Sequence, residues 1–163
     1  MTKARQRQAG RRLRAWTLAL ALALAGSCAP ALAASCLVST GALAFGNYQP
    51  SALADATTNL QVSCSSLFTE PVAYTILLSA GGSASYVSRT LSGPGQLHYN
   101  LYTNAGHAVI WGDGTAGSSV ISDGYTVGGL LVVRTYPVYG RVPGGQNVPA
   151  GIYTDSITVT LNY

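Results

Sequence analysis

The stretch Ile152-Tyr-Thr-Asp-Ser-Ile-Thr-Val-Thr-Leu-Asn-Tyr163 closes the chain and alternates apolar with polar residues. Its apolar row consists of Ile157, Val159, Leu161 and Tyr163. A period of two with β-branched and aromatic side chains is typical of a strand buried on one face. Because the chain ends within this predicted strand, we expect an exposed strand edge that pairs with a partner.

The first 33 residues have the pattern of a secretory signal peptide. Six of the nine basic residues lie in the first 14 positions, the apolar run 15–25 follows, and Ala31-Leu-Ala33 is a small-residue cleavage site. The apolar run is shorter than the roughly 20 residues that cross a bilayer. We therefore predict export by the Sec route, cleavage after Ala33, and one domain at 34–163 without a stable membrane span. That domain would pass through the periplasm to the cell surface, a fimbrium or the medium.

Two other interpretations of the N-terminal segment stay open. Arg11-Arg12 would suit a twin-arginine signal, although the surrounding residues fit it poorly. Ala25-Gly-Ser-Cys28 would suit a lipoprotein site, in which case Cys28 would be kept and lipidated.

The predicted mature chain carries little charge. Its 130 residues contain three arginines, five carboxylates and no lysine, which gives a formal net charge of −2. Nucleic-acid binding depends on a basic surface that neutralises phosphates, so this composition excludes that class of function. A weakly charged chain that is rich in tyrosine, serine, threonine and glycine favours assembly over free diffusion.

Removal of the signal leaves two cysteines, Cys36 and Cys64. In an oxidising compartment such a pair most simply forms one disulfide, whose loop is worth roughly 3 kcal/mol. Metal binding would require further ligands, and the spacing of His98 and His107 matches no zinc pattern. We predict no metal site and no cofactor.

Short β-rich runs separated by Gly, Pro, Asn and Asp predict an all-β sandwich or barrel. The apolar rows that support it are Leu60-Val62-Cys64, Val72-Tyr74-Ile76-Leu78 and Leu97-Tyr99-Leu101. The segment 130–142 is predicted to be one long strand or a bent pair of strands. Pro137 in this segment indicates a bulge or an edge position. Gly93-Pro-Gly95 and Gly144-Gly145 are predicted turns.

Candidate chemical groups are few, and we predict that the protein is not an enzyme. His107 and Asp113 lie near many serines, but the chain has no Gly-x-Ser-x-Gly elbow. The segment Trp111-Gly-Asp-Gly-Thr115 is a candidate ligand loop, with Trp111 as a stacking platform for a sugar and Asp113 as a hydrogen-bonding group. The favoured interpretation is a tight turn in which Gly112 and Gly114 take positive φ and Trp111 is core.

Eight features in a consistent order make the mature chain resemble the spore coat protein U family, which includes archaic chaperone–usher pilins. They are Cys36, Leu43-Ala-Phe-Gly-Asn-Tyr48, Cys64, Arg89 with Leu91, Leu97-His-Tyr-Asn-Leu-Tyr102, Trp111-Gly-Asp-Gly-Thr115 and Tyr136-Pro-Val-Tyr-Gly-Arg141, followed by Gly151-Ile-Tyr-Thr-Asp155 through Tyr163. Each feature is weak alone, and together they are specific.

The resemblance implies an incomplete immunoglobulin-like β-sandwich that lacks its final strand. A periplasmic chaperone, and later another pilus subunit delivered at an outer-membrane usher, would fill the resulting groove by β-augmentation. The groove residues would be Ile157, Val159, Leu161 and Tyr163, and basic chaperone residues would hold the carboxylate of Tyr163. A disulfide between Cys36 and Cys64 would staple the first two strands.

The resemblance also implies a departure from a repeating shaft subunit. Cleavage after Ala33 would leave only Ala34-Ser35 before Cys36, whereas strand-donating pilins carry about a dozen alternating residues there. We therefore expect an acceptor-only subunit at a fibre tip or used as a cap. The alternatives are a tip adhesin that binds carbohydrate or a surface, and a self-complete secreted coat protein.

Overall fold

The computed structural model describes residues 34–163, which form a β-sandwich. The predicted signal peptide and Cys28 lie outside the described residues. The eight strands are β1 Ser35–Thr40, β2 Ala54–Ser65, β3 Thr69–Leu78, β4 Arg89–Ser92, β5 Gln96–Tyr102, β6 Ile121–Gly128, β7 Val132–Val142 and β8 Val159–Asn162. The all-β prediction is confirmed.

The strands form two sheets. The larger sheet has the order β1-β2-β7-β5-β4, and the smaller one has the order β6-β3-β8. Every pair of named strands is antiparallel. The predicted turn Gly93-Pro-Gly95 joins β4 to β5, as the sequence indicated.

The core lies between the sheets and follows the predicted alternation. The fully buried side chains include Leu60 and Val62 of β2, Ile76 of β3 and Val127 of β6. Inward side chains at every second position remove apolar area from water, and each Å² removed stabilises the fold by about 25 cal/mol. Outward positions on the same strands are polar or partly exposed.

The C-terminal segment differs from the sequence prediction in its length as a strand. Regular pairing begins only at Val159, where β8 joins β3. Upstream, Thr154 exchanges two backbone hydrogen bonds with Ser92 of β4, which belongs to the other sheet. The segment therefore passes from one sheet to the other between residues 154 and 159, and this crossing interrupts the strand.

Pro137 occupies a locally unpaired side of a central strand. β7 lies between β2 and β5, and Pro137 pairs with Asn59 of β2. Pairing with β5 covers only Tyr139 to Arg141, so β7 has no β5 partner at Pro137. Because proline has no N–H to donate, this is a position where the sheet tolerates it.

Within residues 34–163 no helix is long and apolar enough to cross a membrane.

Candidate strand-accepting groove

A cavity of about 260 Å³ opens between the two sheets beside β1 and β8. β1 is the outermost strand of the five-stranded sheet, and β8 is the outermost strand of the three-stranded sheet. Within the described residues, no strand is paired to the outer side of either one. The cavity therefore lies where the sandwich is open along one side.

The walls of the cavity come from the two segments that border this opening. Residues 40–43 and Phe45 form one wall at the end of β1, and Asp155, Ile157 and Val159 form the other. The floor is made of buried and half-buried side chains from both sheets: Thr58, Leu60, Leu78, Leu91, Tyr99, Leu101 and Val138. An apolar cavity of about 150 Å³ already binds benzene, so this volume suits at least two apolar side chains.

Gly140 of β7 allows the first wall to pack closely. A Cβ atom on Gly140 would come within 2.8 Å of Phe45 Cζ and 2.9 Å of Leu43 Cδ2. The Phe45 ring also meets the Tyr99 ring edge-on at 5.8 Å. A side chain at position 140 would therefore force Leu43 and Phe45 to move from their present positions.

One end of the cavity is polar, because the carboxylate of Asp155 lies there. Tyr99 Oη donates to Asp155 Oδ2 at 2.7 Å, and the Gly82 N–H donates to Oδ1 at 2.9 Å. Burial, with the adjacent carboxylate, raises the pKa of the Tyr99 phenol far above its usual value. The phenol therefore stays protonated and ties β5 to the segment that leads into β8.

The sequence-predicted groove residues divide into two groups. Ile157 and Val159 are half-buried and line the cavity, whereas Leu161 packs against the core without being part of the cavity wall. Tyr163 is 62% exposed and borders a separate shallow depression with Asn162 and Ser122. Thr158, Thr160 and Asn162 face solvent, as the alternation predicted.

Residues on the opposite wall were not among the predicted site residues. Leu43 and Phe45 belong to the segment 43–48, which is one of the features that carry the family resemblance. In Gly41-Ala-Leu-Ala-Phe45 the large apolar residues occupy every second position. This short alternation is the signal that could have indicated that Leu43 and Phe45 share one face.

The predicted disulfide between Cys36 and Cys64 is present. The two residues are direct partners in the β1–β2 pairing, with their Cα atoms 4.1 Å apart. The bond joins the edge strand beside the groove to its neighbour. The described residues contain no group of three or more His, Cys, Asp or Glu side chains that could hold a metal ion.

The candidate ligand loop is a structural turn. Trp111 is fully buried and its Nε1 donates to the Ile76 carbonyl at 3.1 Å, so its ring offers no face to a sugar. Asp113 Oδ1 accepts from the Thr115 N–H and hydroxyl, and these bonds lower the pKa of Asp113. Gly114 has the expected positive φ of 88°.

The prediction of a positive φ at Gly112 is wrong, because Gly112 is not among the residues with positive φ. Its role is close packing: a Cβ atom there would lie 2.5 Å from Ser118 Cβ and 2.7 Å from the Tyr86 ring.

Comparisons with known proteins agree with this architecture. The family model described as Spore Coat Protein U domain matches residues 21–160. Protein U of Myxococcus xanthus is 33% identical over an alignment of 135 residues, and the match covers 76% of this chain and 72% of that protein.

A solved structure extends the likeness to the fold. It is the pre-assembly complex of the chaperone CsuC with the tip adhesion subunit CsuE, from archaic chaperone–usher Csu pili of Acinetobacter baumannii. One of its chains superposes with a TM-score of 0.57 at 20% identity, over 80% of this chain and 40% of that chain. This chain thus spans less than half of that one, and the likeness concerns the fold. Because the family model covers most of its length, the chain belongs to the Spore Coat Protein U domain family.

Proposed function

We propose that this domain is a structural subunit of a surface fibre or coat, and that a β-strand from another protein completes its fold. The observation that carries this proposal is the apolar cavity between β1 and β8, the strands that form the open edges of the two sheets within residues 34–163. An extended strand placed there would bond its backbone to an edge and would direct alternate side chains into the cavity. Burial of each such Val, Leu or Ile side chain contributes roughly 1.5–3 kcal/mol.

The first strand donor is a periplasmic chaperone, and a later one is another subunit assembled at an outer-membrane usher. This assignment is supported by the chaperone–subunit complex from archaic pili, in which one chain has a similar fold to this one. On the predicted cleavage after Ala33, the subunit accepts a strand without donating one. Sequencing of the mature N-terminus tests this part, because a long segment before Cys36 would restore a donor role.

Periplasmic co-expression with a pilus chaperone of the same organism tests the main proposal. We expect a one-to-one complex, and we expect the subunit expressed alone to aggregate or be degraded, since its cavity stays open to water. A lone monomer that unfolds cooperatively at high urea would contradict the proposal and would indicate a self-complete coat protein.

A pair of substitutions on β8 localises the contact. Val159→Asp places a charge in the cavity wall, where it would cost several kcal/mol against an apolar strand, so complex yield should fall at least tenfold. The matched control is Thr160→Asp, on the exposed face of the same strand, which should leave the yield within twofold. Equal yields for both variants would remove β8 from the binding site.

A further inference from the structure

Among the described residues that line the cavity between β1 and β8, Asp155 carries the one charged side chain. The rest of the lining consists of apolar residues, one glycine and three hydroxyl-bearing residues: Thr40, Thr58 and Tyr99. Ile157 and Val159 follow Asp155 on the same wall at two-residue steps. A strand that fills this cavity therefore meets a carboxylate at one end and apolar side chains beyond it.

The carboxylate of Asp155 keeps an acceptor position for a partner. Oδ1 accepts from the N–H groups of Gly82 at 2.9 Å and Ser156 at 2.8 Å, and Oδ2 accepts from Tyr99 Oη at 2.7 Å. An ionised carboxylate has about four acceptor positions. The described residues thus leave one position on Oδ2 for a donor that enters the cavity.

A tight turn fixes the orientation of this carboxylate. Gly81 has a φ of 67° and packs so closely that a Cβ atom there would collide with Asp155 Oδ2. This packing, with the bonds from Gly82 and Tyr99, restrains the carboxylate against rotation. Little ordering of Asp155 is then needed when a partner binds, which favours affinity.

The described residues supply no close counter-ion to Asp155. Within 34–163 both salt bridges involve Asp55, and the charge of Arg89 acts on Asp155 only from beyond salt-bridge distance. This range contains no lysine. Its three arginines are engaged elsewhere: Arg89 on carbonyl and amide oxygens, Arg134 on an aromatic ring, and Arg141 on Asp55.

The charge at this end of the cavity selects among possible partner side chains. An acidic side chain would be repelled, and an apolar one would cover the carboxylate without pairing its free acceptor position, which is unfavourable. A basic side chain would form a charge-assisted hydrogen bond with Oδ2. The apolar stem of a lysine or arginine would also pack beside Ile157 while its charged group reaches Asp155.

The spacing of the wall residues gives the position of this basic side chain. Side chains on one face of a strand recur at every second residue. The partner residues that cover Val159, Ile157 and Asp155 are therefore separated by two positions each. Residues 154–159 cross from one sheet to the other, so a long side chain suits the last step better than a short one.

We propose, resting on the proposed function, that the strand completing this subunit carries a lysine or arginine that pairs with Asp155. This basic residue lies two positions from the apolar residue that covers Ile157 and four from the one that covers Val159. The partner is thus a strand of apolar residues at alternate positions with one cation at its end.

Synthetic strands added while the mature protein refolds test this inference. The strands are about 11 residues of alternating Val and Thr, and their last inward position holds lysine, norleucine or glutamate. In a strand antiparallel to β8, as every named strand pair is, that position lies beside Asp155. We expect the lysine strand to bind at least about fivefold more tightly than the norleucine strand and about twentyfold more tightly than the glutamate strand.

A pair of protein variants assigns this preference to one carboxylate. Asp155→Asn removes the charge and keeps a polar group beside Tyr99, so the lysine and norleucine strands should bind within about twofold of each other. The matched control is Glu70→Gln, which changes a carboxylate outside the cavity lining and should keep the preference. A second lysine strand, with its lysine at the first inward position, covers entry parallel to β8. A preference for it that depends on Asp155 would also support the inference.

Equal binding of both lysine strands and the norleucine strand to the wild type would overturn the inference and leave the groove proposal standing. A lysine preference that survives Asp155→Asn would overturn it too, because the cation would then pair elsewhere. Binding of none of the strands, by a protein that folds without them, would contradict the groove proposal and the inference with it. If Asp155→Asn fails to fold, the comparison of lysine, norleucine and glutamate strands on the wild type still decides.

Discussion

Among single residues, the buried Arg89 joins parts of the chain that are distant in sequence. Its guanidinium donates to the carbonyls of Ser79 and Trp111 and to Oδ1 of Asn100, at 2.7–3.1 Å. Burial lowers the pKa of the Arg89 guanidinium, yet an arginine keeps its proton. Within the described residues no carboxylate forms a salt bridge with it, so carbonyl and amide oxygens stabilise the charge.

Arg89→Lys should therefore destabilise the strand-complemented subunit by about 2–4 kcal/mol. A lysine ammonium lacks the planar fork that reaches all three acceptors, and the acceptors left unpaired are buried. Urea unfolding measures the loss. Arg134→Lys, at an exposed arginine stacked on Tyr125, is the control and should change stability by less than 1 kcal/mol. Similar losses in the two variants would contradict this account of Arg89.

A second residue-scale prediction concerns acid stability. Tyr136 Oη donates to Asp123 Oδ2 at 2.5 Å, and this bond lowers the pKa of Asp123. A carboxyl with a depressed pKa stabilises the fold above its unfolded pKa of about 3.9, and the contribution is lost as pH falls through the folded value. Tyr136→Phe should lower the free energy of unfolding by about 1 kcal/mol at pH 7 and by less near pH 2. The loss at pH 7 is small because Asp123 is partly solvated.

Unfolding of wild type and Tyr136→Phe across this pH range provides the measurement. Tyr153→Phe is the control, because the Tyr153 hydroxyl donates to the neutral carbonyl of Pro149. Its effect should not vary with pH. A pH-independent effect of Tyr136→Phe would show that the bond to Asp123 does not carry the coupling.

At the scale of elements, β1 is held by one sheet partner and by the disulfide. Replacing Cys36 and Cys64 together by Ala should lower stability by about 3 kcal/mol, the entropy of closing a loop of this length. The neighbouring pair Ser35 and Ser65 is aligned in the same register, so its double Ala variant is the control. The free energy of unfolding in urea and the periplasmic yield should both fall for the cysteine variant and not for the serine variant. Equal values for the two variants would show that the disulfide is dispensable.

Local alternation predicted most strands correctly, because each inward row reflects burial at successive positions of one segment. The crossing between residues 154 and 159 was not predictable in this way. It depends on Thr154 bonding to Ser92, more than 60 residues away in sequence, and alternation does not reveal which sheet a residue joins. The role of Gly112 was missed for the same reason, since Ser118 and Tyr86 approach it only in the folded chain.

For the whole molecule, the sequence indicated a sandwich with an open edge, and the structure identifies which two edges border the cavity. Ile157 and Val159 were predictable from their alternation on the last strand. Tyr163 follows the same alternation, but it comes after the last paired residue, Asn162, and is exposed. The meeting of the turns 66–68 and 129–131 at one end of the sandwich was not predictable, because the two turns come from separate parts of the chain.

The orientation of the missing strand gives a prediction for the complete molecule. A donor strand of alternating Val, Ile and Thr, fused after Tyr163 through a two- to four-residue turn, can pair with β8 only in the antiparallel direction. The fusion should yield a stable monomer that unfolds cooperatively in urea without a chaperone, whereas the unfused chain should aggregate or be degraded. The gain arises because the fused side chains fill the cavity between β1 and β8.

The control for this fusion has the same composition with its apolar residues moved to the outward positions, so that polar side chains would face the cavity. It should aggregate or unfold as the unfused chain does, because a one-residue shift exchanges the two faces of a strand. Equal stabilisation by both fusions would show that the gain does not depend on apolar side chains facing the cavity. If only a long, flexible linker produced a monomer, the strand would enter parallel to β8. The body of a donor subunit would then lie at the end of the sandwich formed by the turns 66–68 and 129–131, so this comparison also decides which end of the subunit its donor covers in an assembled fibre.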